Sequence, residues 1–130
     1  LYAQQITNPA DRGYTGDPDA DGYVNLLEYA TGGSPTNADS MARMSGTRAG
    51  GLLALQFTRD TNAVDVTYVV EGGYALTNGA EWVGIATNSS GSWGGATNVM
   101  EGLGSPASVT AFDVVPAATN RFLRLRVSRP

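Results

Sequence analysis

The chain has 130 residues, a net charge of −4, and neither cysteine nor histidine. That length suits one domain with a single core, and the two missing residue types exclude disulfides, thiolate metal sites and serine-histidine triads. Its eight basic residues are all arginine and are outnumbered by twelve carboxylates, so a nucleic-acid partner is not expected.

The first predicted element is a short helix over residues 1–6, "LYAQQI", which Pro9 ends. No apolar run approaches the ~20 residues that a membrane span needs, so no membrane partner is expected. The chain starts at Leu1 with neither a signal peptide nor an initiator methionine. We therefore expect it to be an excised piece of a longer protein.

The stretch "GDPDADGYVNLLEYATGG", residues 16–33, has the spacing of an EF-hand calcium loop. Counted from the first aspartate, ligand positions 1, 3, 5, 7, 9 and 12 hold Asp17, Asp19, Asp21, Tyr23, Asn25 and Glu28. Tyr23 would contribute its backbone carbonyl, and Gly22 at position six permits the sharp turn. The sequence thus predicts bound Ca²⁺; the alternative is a solvated acidic turn that binds no ion.

A single loop of this kind favours a structural calcium over a regulatory one, because sensor loops usually work in pairs. A helix is predicted to begin near Val24 and to end at Gly32, and Tyr14 and Tyr29 are predicted to pack the calcium loop against the sheet. Residues 34–51 are rich in Ser, Thr, Asn and Gly, and we predict a long surface connection there.

From Leu52 onward, apolar residues alternate with period two, which predicts β-strands. The residues expected to face inward are Leu53, Leu55, Phe57, Val64, Val66, Tyr68, Val70, Leu123, Leu125 and Val127. A hairpin turn is expected over residues 60–63, and further strands in "EWVGIAT", "VTAFDVV" and "NRFLRLRVSR".

The predicted fold is mainly β, an antiparallel, jelly-roll-like β-sandwich preceded by a short helical segment with the calcium loop. We expect one domain over residues 1–130, with the helical calcium-loop segment and connection in 1–47 and the β-sandwich in 48–130.

Aromatic side chains that stack on sugar rings are the first candidates for a ligand site. Trp93 lies among glycines and serines, where a ligand role and a packing role both remain open, and Tyr74 is a weaker candidate of the same type. Trp82 has apolar neighbours at a strand start, and we predict that it lies in the core.

The second set of candidates is the arginines of the predicted strands, namely Arg59, Arg121, Arg124, Arg126 and Arg129. Arg124 and Arg126 should share the outward face of the last strand. Arg59, Arg124 and Arg126 could donate paired hydrogen bonds to sulfate or carboxylate groups of an anionic polysaccharide. The alternative is a solvated strand face, or ion pairs with Asp60, Asp65 and Asp113.

Enzymatic chemistry would have to come from a pair of carboxylates in a glycosidase-like role. The candidates are Glu71, Glu81, Glu101 and Asp113. Nothing in their sequence spacing pairs them, so we expect no catalytic residues and no enzyme.

The segments "DPDADGYVNLLEYATGGSP", "LALQFTRDTNAVDVTYVVEGGYALTNGAEW" and "NRFLRLRV" together resemble the calcium-loop and β-sandwich region at the C-terminus of many secreted bacterial hydrolases and sulfatases. The loop alone also resembles a dockerin or thrombospondin type 3 repeat. The likeness runs from about Tyr14 to Val127.

The resemblance implies a non-catalytic carbohydrate-binding module that tethers a secreted or cell-surface bacterial enzyme to a polysaccharide. Its partners would be that glycan, including an anionic or sulfated one, and the parent catalytic domain in the same longer chain. The alternative is a calcium-stabilised spacer or protein-interaction module that binds no glycan.

Overall fold

The computed structural model describes residues 6, 8–20, 24–33, 36, 44–74, 81–104, 106–115 and 121–129. Within these residues the protein is mainly β, with seven strands in two antiparallel sheets and one short α-helix. No helix among them is long and apolar enough to cross a membrane.

The helix α1 spans Asn25–Thr31, close to its prediction, and ends at Gly32 in the left-handed conformation with φ of 80°. Glycine adopts this conformation without a steric penalty, and the amide of Gly33 closes the end by donating to the Glu28 carbonyl over 2.8 Å. Upstream, Pro9–Asp11 form one 3₁₀ turn. The helix predicted over residues 1–6 falls almost entirely outside the described residues.

A hairpin of β1 and β2 follows, where Met44–Ala49 pair with Leu52–Arg59. Its turn residues Gly50 and Gly51 both have positive φ, as a two-residue type I′ turn requires. The prediction of a surface connection was therefore wrong for Met44–Ala49, whose sequence "MSGTRA" offers little apolar alternation. This strand also spans the boundary predicted at residue 47.

The remaining strands are β3 Thr67–Gly73, β4 Trp82–Asn88, β5 Val99–Glu101, β6 Ala107–Phe112 and β7 Phe122–Ser128. One sheet has the order β1-β2-β6-β5 and the other β4-β3-β7. The predicted hairpin between β2 and β3 is wrong, because these strands belong to different sheets. A turn does form there, with the Ala63 amide donating to the Asp60 carbonyl over 3.0 Å.

The two sheets share one hydrophobic core, which gives a sandwich-like arrangement. Its buried members are Ala30, Leu55, Phe57, Ala63, Val66, Tyr68, Val70, Ala86, Val109 and Ala111. Leu123, Leu125 and Val127 of β7 pack against it, as their alternation predicted. Val64 is 55% exposed, because β3 begins only at Thr67 and the alternation does not extend back to residue 64.

The C-terminal end of α1 is bound to the core strands. The Ala30 carbonyl accepts hydrogen bonds from the Tyr68 hydroxyl at 2.7 Å and from the Asp60 amide at 2.8 Å, and the Thr31 carbonyl accepts from the Thr58 hydroxyl at 2.7 Å. The last carbonyls of a helix have no partner within the helix, so these bonds supply the partners they need.

Two further contacts tie the loop region to the end of β7. The Tyr29 hydroxyl donates to Asp65 over 3.0 Å, and Arg129 forms an ion pair with the same carboxylate at 2.7 Å. The Arg129 guanidinium lies 5.7 Å from the Tyr14 ring centroid and 5.5 Å from that of Tyr29. The predicted packing of Tyr29 is confirmed, whereas Tyr14 is 42% exposed.

Candidate functional site

The first candidate site is the predicted calcium loop. The described residues include the ligand positions held by Asp17, Asp19, Asn25 and Glu28. Asp21, Gly22 and Tyr23 lie outside the described residues, so their predicted roles stay predictions.

The backbone of this loop folds back on itself just before α1. The Leu26 amide donates to the Tyr14 carbonyl over 3.0 Å, and the Asn25 amide donates to the Gly16 carbonyl over 2.7 Å. The side-chain amide of Asn25 donates to the Gly13 carbonyl over 2.9 Å. Asn25 is therefore held from both its main chain and its side-chain nitrogen, which fixes the direction of its side-chain oxygen.

Oxygen atoms suited to a hard cation are buried in this loop. Glu28 and Asn25 are fully buried, and one side-chain oxygen each of Asp17, Asp19, Asn25 and Glu28 is buried and accepts no hydrogen bond. All four residues also make interactions within the protein. A buried carboxylate needs a cation or hydrogen-bond donors to balance its charge, and Ca²⁺ binds carboxylate and amide oxygens.

The described residues contain no group of three or more His, Cys, Asp or Glu side chains that could hold a metal ion. Three of the predicted ligands, Asp17, Asp19 and Glu28, are described and do not form such a group. Asp21 and the carbonyl of Tyr23 lie outside the described residues. The donor chemistry of the residues present thus fits calcium, and the complete ligand set is a prediction.

The second candidate site is the face of the β4-β3-β7 sheet that points away from the core, here called the outer face. It carries Val69, Glu71, Gly73, Trp82, Arg124 and Arg126. Because neighbouring residues of a strand point to opposite sides, this set alternates with the core residues Tyr68 and Val70.

Trp82 lies on the outer face beside Gly73, its partner on β3. A Cβ atom at Gly73 would lie 3.1 Å from two atoms of the indole, so the missing side chain makes room for the ring. The Arg124 guanidinium carbon lies 4.0 Å from the ring centroid, within cation–π range. Trp82 is half-buried here, and its prediction as a core residue was wrong.

Two arginines surround a single carboxylate next to this indole. Glu71 is 9% exposed in its side chain, and its Oε1 accepts a hydrogen bond from Nε of Arg124 at 2.9 Å and forms an ion pair with Nε of Arg126 at 3.5 Å. The arginine side chains remain 47% and 54% exposed. One negative charge cannot neutralise two guanidinium groups, so the cluster leaves positive charge beside an aromatic ring.

Arg59, predicted with these two as a ligand-binding arginine, is placed elsewhere. It lies in the core-facing row of β2 and binds Glu101 with two hydrogen bonds of 2.7 and 3.1 Å. These bonds from Arg59 are the main reason that the pKa of Glu101 lies below its usual value, and they raise the pKa of Arg59. Arg59 is buried and Glu101 is partly exposed, so this bidentate pair links the core-facing row of β2 to the surface and does not lie on the outer face.

Trp93 packs against the core. Its ring centroid lies 6.3 Å from that of Phe57 and 6.5 Å from that of Tyr68, and its indole N–H donates to Glu101 over 3.1 Å. Of the two roles left open for Trp93, these contacts describe packing, and the ligand role stays a prediction.

Tyr74 is 60% exposed, and the Arg121 guanidinium lies 4.8 Å from its ring centroid. Arg121 is itself bound to the buried carboxylate of Asp113 by hydrogen bonds of 2.5 and 2.8 Å. Burial alone would raise the pKa of Asp113, yet the hydrogen bonds from Arg121 hold that pKa below its usual value. Tyr74 is thus an exposed aromatic residue that contacts an arginine fixed by an ion pair. It follows the outer-face residue Gly73 in the sequence.

The alternative prediction for the arginines was that they form ion pairs with aspartates. Two such pairs are found, Arg121 with Asp113 and Arg129 with Asp65. The sequence reasoning missed the association of Trp82 with Glu71 and Arg124. The available signal was the "GG" pair at residues 72–73, because glycine within a strand allows another side chain to approach its backbone closely.

No protein family, curated protein or solved structure matches this chain in the comparisons. Function is therefore inferred from the residues of the chain and their contacts.

Proposed function

We propose that this chain is a non-catalytic carbohydrate-binding module whose ligand lies on the outer face of the β4-β3-β7 sheet. The observation that carries the proposal is the Trp82 indole, which lies beside Gly73 and within cation–π distance of Arg124 on that face. An aromatic ring stacks on the apolar face of a sugar, while neighbouring polar groups fix the hydroxyls.

The contacts around the Trp82 ring favour binding, because a side chain that is already ordered loses less conformational entropy when a ligand binds. Trp82 contacts Gly73 on its own sheet and the guanidinium of Arg124, which is in turn bound to Glu71. A loop tryptophan without such contacts would have to be ordered by the ligand itself.

The charge of the outer face favours an anionic glycan. Arg124 and Arg126 are about half exposed and share the single carboxylate of Glu71. Guanidinium groups donate paired hydrogen bonds to sulfate and carboxylate oxygens, so a sulfate ester or a uronic acid next to a stacked ring would be recognised.

One structural Ca²⁺ completes the proposal, held by the predicted ligands of residues 17–28. When bound, the ion supplies positive charge to carboxylates that would otherwise repel one another. The loop continues directly into α1, whose end is bound to Tyr68 and Thr58. Calcium would therefore fasten the N-terminal segment to the jelly-roll-like sandwich, and a secreted or cell-surface location with millimolar calcium would keep it bound.

The absence of catalysis is part of the same proposal. Three of the four candidate carboxylates are each bound to an arginine, namely Glu71, Glu101 and Asp113. A glycosidase acid needs a raised pKa, whereas the pKa values of Glu101 and Asp113 are lowered. We infer that the module serves a catalytic domain elsewhere in a longer chain by raising its local concentration on the polysaccharide.

The experiment is affinity electrophoresis through gels that contain a neutral glucan, a polyuronate or a sulfated galactan. We expect retardation by an anionic polysaccharide, lost in Trp82→Ala and reduced in Arg126→Ala. The matched control is Arg129→Ala, which removes an arginine bound to Asp65 and placed away from Trp82. Trp93→Phe should keep binding if that residue only packs.

Failure of all three gels to retard the wild-type module would refute the proposal and leave the calcium-stabilised spacer as the alternative. Retardation that survives Trp82→Ala and Arg126→Ala together would keep glycan binding but move the site away from the outer face.

A further inference from the structure

A cleft of about 340 Å³ opens between the two sheets on the side where β1 and β7 lie. Leu53 and Leu55 of β2 form one wall, and Phe122 and Leu123 of β7 form the other. Gly46 and Arg48 of β1 lie at the border, as does Arg121, whose charge is paired with Asp113. The cleft is therefore largely apolar. It adjoins the hydrophobic core, because Leu55 belongs to that core and Leu123 packs against it.

Gly46 leaves a space in the row of side chains that should close this cleft. It pairs with Leu55, so its missing side chain would point to the same face. A Cβ atom built at Gly46 would meet only the Ala54 carbonyl oxygen within 4.0 Å. The inner face of β1 consequently carries no apolar group at the position opposite a buried leucine.

Both strands that border the cleft lie at the edges of their sheets. Among the described residues, β1 pairs with β2 alone and β7 pairs with β3 alone. An edge strand presents one row of main-chain N–H and C=O groups that another extended chain can use.

Arg48 stands two residues beyond Gly46 on the same face of β1 and pairs with Leu53. It is exposed, and no ion pair of Arg48 is found within the described part of the chain. An inward-pointing charge on an edge strand can simply discourage aggregation. Because Arg48 also lies beside an open apolar cleft, its positive charge would favour a ligand that carries an acidic group.

We propose that the β1 edge and this cleft bind an extended peptide segment with an apolar residue and an acidic residue two positions apart. The peptide adds a strand beside β1 through main-chain hydrogen bonds. Its apolar side chain enters the space at Gly46, and its acidic side chain meets Arg48, because residues two apart on a strand share a face.

A peptide fits these features better than a small amphipathic carboxylate does. Either ligand could place hydrocarbon against Leu55 and an anion beside Arg48. Only an extended chain also uses the main-chain groups along β1, and the spacing of Gly46 and Arg48 matches the repeat of a strand. This surface is on the β1-β2 side of the protein and does not depend on glycan binding at Trp82.

The test is an amide-resolved NMR titration with the capped peptide Glu-Thr-Leu-Thr-Glu, which offers an acidic residue in either strand direction. We expect saturable shifts of the amides of Gly46, Thr47 and Arg48, and of Leu123 across the cleft. Gly46→Val should fill the space, and Arg48→Glu should reverse the charge, each weakening binding about tenfold. Ser45→Val is the matched control, because it adds the same side chain to the opposite face of β1.

Three peptide controls sharpen the outcome. Replacing the leucine with alanine, replacing both glutamates with glutamine, or moving the glutamates next to the leucine should each weaken binding. Equal binding of the glutamine peptide would overturn the role of Arg48. No saturable shift at β1, or shifts produced by decanoate and not by the peptide, would overturn the proposal. The peptide variants and Arg48→Glu decide the matter even where Gly46→Val unfolds the protein.

Discussion

The hydroxyl of Tyr68 donates a 2.7 Å hydrogen bond to the carbonyl oxygen of Ala30, and both residues are fully buried. This bond joins the start of β3 to the end of the helix that begins within the predicted calcium loop. Tyr68, a residue of the sandwich-like core, thereby helps to anchor the end of α1, although Ala30 lies 38 positions earlier in the sequence.

Tyr68→Phe keeps the ring and removes this bond. We expect the free energy of unfolding to fall by about 1 kcal/mol, since the Ala30 carbonyl keeps its second donor, the Asp60 amide. Urea denaturation at fixed calcium measures the change. Tyr29→Phe is the control, because its bond to Asp65 lies in a less buried place and should matter less. An unchanged midpoint for Tyr68→Phe would contradict the expectation.

Calcium removal should destabilise the whole protein. An ion that binds only the folded state adds about 2.7 kcal/mol when its free concentration is a hundredfold above Kd. We expect excess chelator to lower the melting temperature and Glu28→Gln to lose most of the calcium response. Glu81→Gln, an exposed carboxylate outside the loop, should melt as the wild type does. Identical melting curves with calcium and with chelator would rule the structural ion out.

Gly72 should not tolerate a side chain. A Cβ atom there would collide with the guanidinium of Arg121, which is fixed by its ion pair with buried Asp113. Gly72→Ala is expected to cost about 1–3 kcal/mol, the usual cost of overpacking. Gly46→Ala is the matched control on another strand, with no side-chain atom near its added methyl group. Thermal melting of the two variants checks the prediction, and equal losses would contradict it.

The two tryptophans should differ in their effect on stability. Trp93 contacts Phe57 and Tyr68, so Trp93→Ala should lower the free energy of unfolding by about 3 kcal/mol. Trp82 stands on the outer face, so Trp82→Ala should lower it clearly less. Denaturant titrations of both variants compare them directly. A larger loss for Trp82→Ala would reverse the roles assigned to the two rings.

The Arg59–Glu101 pair should make stability depend on pH in acid. The pKa of Glu101 is lowered from 4.5, chiefly by its hydrogen bonds from Arg59, so the unfolded state binds more protons as the solution is acidified. The stabilisation is complete above the unfolded pKa and is lost as the pH falls through the lower folded value. Asp113, whose pKa is also lowered, acts in the same direction.

The measurement is the melting temperature from pH 6 to pH 3, in chelator so that the loop carboxylates hold no calcium. Glu101→Gln should show a shallower fall than the wild type below a pH of about 4.5. Glu81→Gln serves as the control carboxylate. Parallel curves for Glu101→Gln and the wild type would contradict the prediction.

Local patterns predicted the helix and several strands correctly. The position of α1 follows from Gly32, which ends it without strain, and β2 and β7 follow from the alternation of their leucines. In contrast, β1 lacks such alternation, because an edge strand beside an open cleft buries little apolar surface. The hairpin predicted at residues 60–63 was wrong for another reason. The turn forms, but a turn does not determine which sheet the next strand joins.

The candidate site was predicted only in part. Arg124 and Arg126 were expected to share the outward face of the last strand, and they do. The roles of Trp82 and Trp93 could not be derived from their neighbours in sequence, because each ring is placed by residues on other strands. Gly73 and Arg124 hold Trp82, whereas Phe57 and Tyr68 surround Trp93.

The sequence by itself determined the ligand spacing of the calcium loop, the short helix and the alternation of most strands, because these depend on residues only a few positions apart. Tertiary structure alone decided which tryptophan faces outward, which carboxylate each arginine binds and where the sheets leave a cleft. Those relations join residues tens of positions apart, such as Arg124 and Glu71, and are fixed by strand order and register. Local composition does not encode that register, and the proposed ligand sites on the outer face and at the β1 edge depend on it.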